Sequence, residues 1–336
     1  MLSLIQLLLL TISVPSLASP ILPRTAPSFV YPGDAPFTVS PSALAAAFTC
    51  PNGNPTSSKP PVLLVHGTGS TGEETWGQGY VPALSANGYT PCYITIPGRS
   101  MGNMQVSAEY VAYAIHQITT LSNGASTAII SHSQGGPNVQ WALRFWPSTR
   151  PITTAFIPLS PDFSGIELLG SDLHDFCIGD LCQAAIWQQS AGSAYYAAMH
   201  ADTFEQLVPT TAIWTQSDGV VNPPQQNAQL PSATTMSVQD LCPLRIVTHL
   251  QMPIDAAAYA LAMDALTHGG QGSVSRARAS NPFSCLQFTA PHMDFSVSVS
   301  LQDTWDAIVD GIILGSPRVS QEPAVDAYAL HPTSSG

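Results

Sequence analysis

Short apolar runs, each closed by a polar or glycine-bearing turn, alternate along this chain with stretches whose apolar residues recur at helical spacing. The runs at 62–65, 89–96, 126–132, 152–159, 210–215 and 244–248 predict strands. Most are continuously apolar, as expected of strands buried on both faces of a parallel sheet. Helices are predicted at 42–48, 80–87, 106–121, 139–146, 255–266 and 301–314, with Gly88, Asn123-Gly124 and Gly269-Gly270 as stops. Such alternation implies a parallel sheet with helices on both faces. Reactive groups then collect beyond the carboxyl ends of the strands. Residues 163–189 break the rhythm and read either as a cap over a site or as a long surface connection. Residues 27–41 are rich in proline and predict a surface arm; those after Pro317 predict a wrapping tail.

One junction organises the rest. The run Ser126-Thr127-Ala128-Ile129-Ile130 meets the turn Ser131-His132-Ser133-Gln134-Gly135-Gly136-Pro137, and a helical pattern follows. Strand, tight turn, serine and helix form the nucleophile-elbow layout, although the first glycine of G-x-S-x-G is Ser131 here. Small residues at 131, 135 and 136 let the two backbones approach, and Pro137 fits a first helical turn. Ser133 is thereby expected at a helix N-terminus, where negative charge is favoured.

Composition narrows the reading. The 336 residues are 45% hydrophobic and only 9% charged, with net charge −12 and Lys59 as the single lysine. Nucleic acid is therefore excluded as an expected partner. Residues 1–18 read as a secretory signal, with the apolar core Leu7-Leu8-Leu9-Leu10-Thr11-Ile12 and a small-residue cleavage context at Ser16-Leu17-Ala18. Residues 19–41 read as a pro-segment or N-terminal arm, and 42–336 as a single domain. In a secreted chain, six cysteines suggest three disulfides.

A serine needs an imidazole to take its proton, and the imidazole needs a carboxylate to hold its tautomer. The order Ser133, Asp218, His249 is the order found in α/β-hydrolases, and each residue ends a predicted strand. Asp162 competes with Asp218 for the acid, and His268 and His292 compete with His249 for the base. His66, in Val65-His66-Gly67-Thr68-Gly69, is expected to shape the loop that supplies a second oxyanion donor. No metal-ligand spacing or phosphate loop is present in the sequence, and no cofactor is expected.

Several segments together resemble the secreted fungal lipase family of Candida antarctica lipase B. They are Leu64-Val65-His66-Gly67-Thr68-Gly69-Ser70-Thr71-Gly72, Gly88-Tyr89-Thr90-Pro91-Cys92, Ser133-Gln134-Gly135-Gly136, Pro161-Asp162-Phe163, the stretch Trp187-Gln188-Gln189-Ser190-Ala191-Gly192-Ser193-Ala194, Val208-Pro209-Thr210-Thr211 and Glu322-Pro323. The resemblance implies an α/β-hydrolase fold, with a mostly parallel central sheet and a small cap at about 163–189. It implies a secreted hydrolase of carboxylic esters, most of all triacylglycerols at a lipid–water interface, acting as a monomer. The nucleophile falls on Ser133, the acid on Asp218 and the base on His249. The oxyanion hole falls on Thr68 and Gln134, and Asp162, Gln189, His132 and Val220 fall close by. Two family disulfides fall on Cys50–Cys92 and Cys242–Cys285, which leaves Cys177 and Cys182 to pair. This chain departs from the family in three places. His132 replaces a bulky Trp, the cap sequence differs, and Gln321 replaces a cysteine that would close the tail. The rival readings are an esterase of short soluble esters, an acyltransferase, and a non-catalytic binding protein on the same fold.

Overall fold

In the computed structural model, which describes residues 26–56, 60–168, 171–177, 181–202, 204–294, 315 and 317–330, the apolar runs assemble into a seven-stranded sheet. Its strands are β1 (Phe48–Thr49), β2 (Pro61–Val65), β3 (Thr90–Ile94), β4 (Thr127–His132), β5 (Thr153–Leu159), β8 (Thr211–Trp214) and β9 (Thr234–Ser237). Between β5 and β8 in the chain, β6 (Glu167–Leu168) and β7 (Ser171–Asp172) form a separate hairpin. The spatial order is β1-β3-β2-β4-β5-β8-β9, and only β1 runs antiparallel to its neighbour.

The strict alternation of side chains along a strand divides each central strand between two cores. Leu63, Val65 and Ile129 face the helices Met104–Leu121 and Gly135–Phe145. Val62, Leu64, Ala128 and Ile130 face Tyr80–Ala86 and Ala256–Thr267. Each fully buried Leu or Ile contributes roughly 1.5–3 kcal/mol through removal from water. Helices on both faces explain why these strands read as unbroken apolar runs.

One predicted strand is absent. Residues 244–248 form no strand, and the sheet ends instead in the polar β9. Arg245 is the reason. Its guanidinium bonds the Asp255 carboxylate at 2.6 Å and reaches the carbonyls of Ser284, Cys285, Gln287 and Phe288. With Arg245 turned inward, Leu244 and Ile246 stand 97% and 79% exposed. The predicted helix at 301–314, the signal at 1–18 and residues 19–25 of the arm lie outside the described residues.

The arm and tail strap the core. Glu109 on the long helix accepts the N–H groups of Thr38 and Val39 at 2.7 and 2.9 Å. Where a family cysteine would close the tail, hydrogen bonds do so. Val319 pairs with Cys182, and the Glu322 carboxylate accepts the first N–H groups of helix Ala194–His200. All three expected disulfides are formed: Cys50–Cys92, Cys177–Cys182 and Cys242–Cys285.

Candidate active site

β4 is buried along its whole length and ends at His132; the next residue, Ser133, has φ +55°. A non-glycine residue in the left-handed region is strained, and here its surroundings enforce the conformation. Ser133 N–H donates to the Leu159 carbonyl at 3.0 Å, and its own carbonyl accepts Gly136 N–H at 2.7 Å. A Cβ on Gly67 would lie 2.7 Å from the Ser133 Cβ, and one on Gly135 would lie 2.6 Å from the Val65 carbonyl oxygen. Only glycine permits these approaches. Ser131 takes the place of the motif's first glycine without a clash, because its small side chain is fully buried facing Gly135.

Asp218 follows β8 in the turn 215–219. Its Oδ2 lies 2.8 Å from Nδ1 of His249, and its Oδ1 accepts the N–H groups of Val220 and Val221 at 3.0 and 2.8 Å. The side chains of Asp218 and His249 are 1% and 4% exposed. Burial pushes the Asp218 carboxyl up, but the neighbouring His249 and these hydrogen bonds outweigh it and hold the group below the usual carboxylate value. Asp218 therefore stays ionised and fixes the hydrogen of His249 on Nδ1, leaving Nε2 as the basic nitrogen.

His249 was expected to end a strand. It opens the 3-10 turn His249–Gln251 instead. Its ring stands beside His132, with centroids 4.6 Å apart, and Nε2 of His132 lies 3.0 Å from the His249 carbonyl oxygen. His249 is thus set against the end of β4, one residue before Ser133. The competing histidines lie elsewhere: His268 is exposed and bonds the Asp264 carbonyl on its own helix, and His292 is exposed on a turn. The competing acid, Asp162, is fully buried with Oδ2 accepting from Tyr196 Oη at 2.9 Å and Oδ1 without a hydrogen-bond partner among the described residues. Burial raises its carboxyl to about 6.

The donor side is assembled from three segments. Thr68 lies on the loop after β2, Gln134 at the N-cap of helix Gly135–Phe145, and Gln189 at the end of helix Ala184–Gln188. Thr68 Oγ1 lies 2.8 Å from Gln189 Oε1 and 3.1 Å from Gln134 Oε1, and its single hydrogen is shared between them, with the shorter contact to Gln189. As the N-cap residue, Gln134 leaves its backbone N–H without an intrahelical partner. His66 shapes the loop as expected. Its Nδ1 donates to the Gly67 carbonyl at 2.8 Å and its Nε2 accepts Ile96 N–H at 2.9 Å. Burial lowers its pKa to about 4, so it is held neutral.

Sequence reasoning missed Thr215 and Gln239. Thr215 Oγ1 donates to the Val247 carbonyl at 2.8 Å, and the Gln239 amide bridges Thr215 Oγ1, Gln216 N–H and the Arg245 carbonyl. They bind the loop that carries Asp218 to the loop that carries His249. Nothing in their local sequence sets them apart from surface polar residues.

The chain is 30% identical over 310 residues to Lipase B of Pseudozyma antarctica, covering 88% of this chain and 86% of that protein. It belongs to the lipase B family. Among solved structures, lipase B of Aspergillus fumigatus superposes with a TM-score of 0.80 at 30% identity, over 89% of this chain and 74% of that one. No family model matches the chain. This lipase B homologue has the α/β-hydrolase fold and is a carboxylic ester hydrolase.

Proposed function

We propose that this lipase B homologue is a secreted triacylglycerol lipase, working through Ser133, His249 and Asp218. The observation that carries the proposal is the His249–Asp218 pair, closed at 2.8 Å, with the His249 carbonyl oxygen 3.0 Å from Nε2 of His132, the residue before a Ser133 held at φ +55°. His249 Nε2 takes the Ser133 proton as Oγ attacks the ester carbonyl. The new oxyanion is met by the N–H and hydroxyl of Thr68 and by the N–H of Gln134, with the Thr68 hydroxyl turning from Gln189 to do so. Imidazolium then gives its proton to the leaving alcohol. Water, deprotonated by the same His249, attacks the acyl-enzyme and releases the acid. Loss of one oxyanion donor costs about 10²–10³ in rate.

The lipid side of the proposal is supported by the exposed apolar residues on the loop that leads to His249 and on its neighbour. Leu244, Ile246, Phe283, Leu286 and Phe288 are all largely exposed, on loops joined by Arg245 and by the Cys242–Cys285 disulfide. Secretion is supported by the sequence of residues 1–18 and by the absence of a free cysteine among the described residues. Among the described residues, no helix is long and apolar enough to cross a membrane.

The test compares the wild type with Ser133→Ala on a p-nitrophenyl ester and on a triacylglycerol, below and above its solubility limit. Silence of the variant, with a wild-type rate that rises above the limit, is expected. Unchanged turnover in Ser133→Ala would remove the serine mechanism. A rate that saturates below the limit would reduce the enzyme to an esterase of soluble substrates.

A further inference from the structure

We propose that His132 is a positioning residue for His249, clamping the backbone of the base to the strand that presents the nucleophile; this rests on the reading of Ser133, His249 and Asp218 as the triad. His132 is the last residue of β4 and is 6% exposed. Its Nε2 meets the His249 carbonyl oxygen at 3.0 Å, and the two rings stand 4.6 Å apart at an angle of 40°. A carbonyl only accepts, so the hydrogen of the His132 ring sits on Nε2. Burial, and secondarily the neighbouring His249, push its pKa down to about 3. His132 is therefore a neutral donor at any working pH and sets no second charge beside the imidazolium that forms on His249.

The base needs such a clamp. His249 belongs to no strand, and the loop before it turns Leu244 and Ile246 into solvent. Asp218 fixes the ring through Nδ1, and Thr215 holds a carbonyl two residues earlier, that of Val247, at 2.8 Å. At the His249 carbonyl, the bond from Met252 N–H is long, at 3.3 Å, and comes from the same short turn. Among the described residues, only His132 connects that carbonyl to the sheet. With the ring pinned at Nδ1 and the carbonyl at β4, the orientation of the His249 ring is held at two points. Without the second point the turn can pivot about the Asp218 bond, and a displacement of about 1 Å at a reacting atom costs on the order of 10²-fold in rate.

Three variants test this. His132→Gln carries an amide N–H to the reach of the imidazole Nε2; His132→Phe keeps a flat ring without a donor; His132→Met is a slimmer side chain, also without one. On p-nitrophenyl butyrate, His132→Phe is expected to lower kcat about 10- to 100-fold with KM unchanged, and His132→Gln to stay within about threefold of wild type. Should His132→Phe fail to fold, the Met and Gln variants give the same comparison. Equal losses in donor and donorless variants, a loss confined to KM, or full kcat in His132→Phe would each overturn the proposal. Ser133→Ala runs alongside. If it is silent while His132→Phe is fully active, the clamp alone is lost. If it retains turnover, the triad falls and the clamp with it.

Discussion

Asp218→Asn separates what the carboxylate does for the ring from what it does for the fold. Both carboxylate oxygens are engaged. Oδ2 accepts from His249 Nδ1 at 2.8 Å, while Oδ1 accepts two backbone N–H groups, from Val220 at 3.0 Å and Val221 at 2.8 Å. An asparagine has one oxygen and one NH2 for these places. If the NH2 faced Val220 and Val221, two buried N–H groups would meet a donor, at about 1–3 kcal/mol each. If the oxygen stays with them, only the His249 contact changes, its direction reversed. The second arrangement is therefore expected. It turns the NH2 toward His249 Nδ1, which must then accept, so the ring hydrogen moves to Nε2. A ring with hydrogen on Nε2 cannot take the Ser133 proton. The loss for a wrong tautomer held in intact geometry is about 10⁴-fold in kcat, or about 5.4 kcal/mol of barrier at roughly 1.36 kcal/mol per decade. Urea unfolding at neutral pH should move by no more than about 1 kcal/mol, since both backbone bonds survive. The assay is kcat on p-nitrophenyl butyrate beside a urea midpoint on the same preparation. An Asn variant within tenfold of wild type, or one whose fold is lost together with its activity, would refute the reasoning.

The other predictions concern strain and protonation. Gly67→Ala places a Cβ 2.7 Å from that of Ser133 and 3.0 Å from the His132 carbonyl oxygen, so the nucleophile must shift; kcat should fall about 10²-fold, and an unchanged kcat would deny the close approach. Asp162 has its carboxyl raised from 3.8 to about 6 by burial, so the folded state holds a proton that the unfolded state releases. Its unfavourable contribution is absent below about pH 4, grows as pH rises to about 6, and is full above that, at about 2 to 3 kcal/mol. Asp162→Asn, with its oxygen still accepting from Tyr196, should therefore match wild type in urea near pH 4 and exceed it above pH 6; a gain equal at both pH values would contradict the assignment. Asp218 has the opposite sign. Its folded pKa is depressed, so its stabilisation is full above the ordinary carboxylate range and is lost as pH falls through the lower folded value.

The central strands were legible because helices cover both faces, and continuous apolar runs such as Val62-Leu63-Leu64-Val65 have no other arrangement available. The edge was not. Leu244-Arg245-Ile246-Val247-Thr248 carries strand-forming residues, yet Arg245 finds Asp255 and a row of carbonyls and holds the segment as a loop. Thr234–Ser237, with little apolar character, is a strand because β8 offers it a parallel edge. In the same way the resemblance carried Ser133, Asp218 and His249, but it could not mark Thr215 and Gln239, whose roles depend on partners brought together by the fold.

By itself the sequence determined what is local: the runs that must be buried, the small residues around Ser133 that allow a tight turn, and the order of Ser133, Asp218 and His249 along the chain. Tertiary structure alone decided which polar groups share hydrogens. The His132 donor on the His249 carbonyl, the two oxygens of Asp218 divided between ring and backbone, and the Thr68 hydroxyl resting on Gln189 join residues distant in the chain. A hydrogen bond needs its partners within about 3 Å and in line, and only the folded chain sets such distances between segments that no periodicity connects.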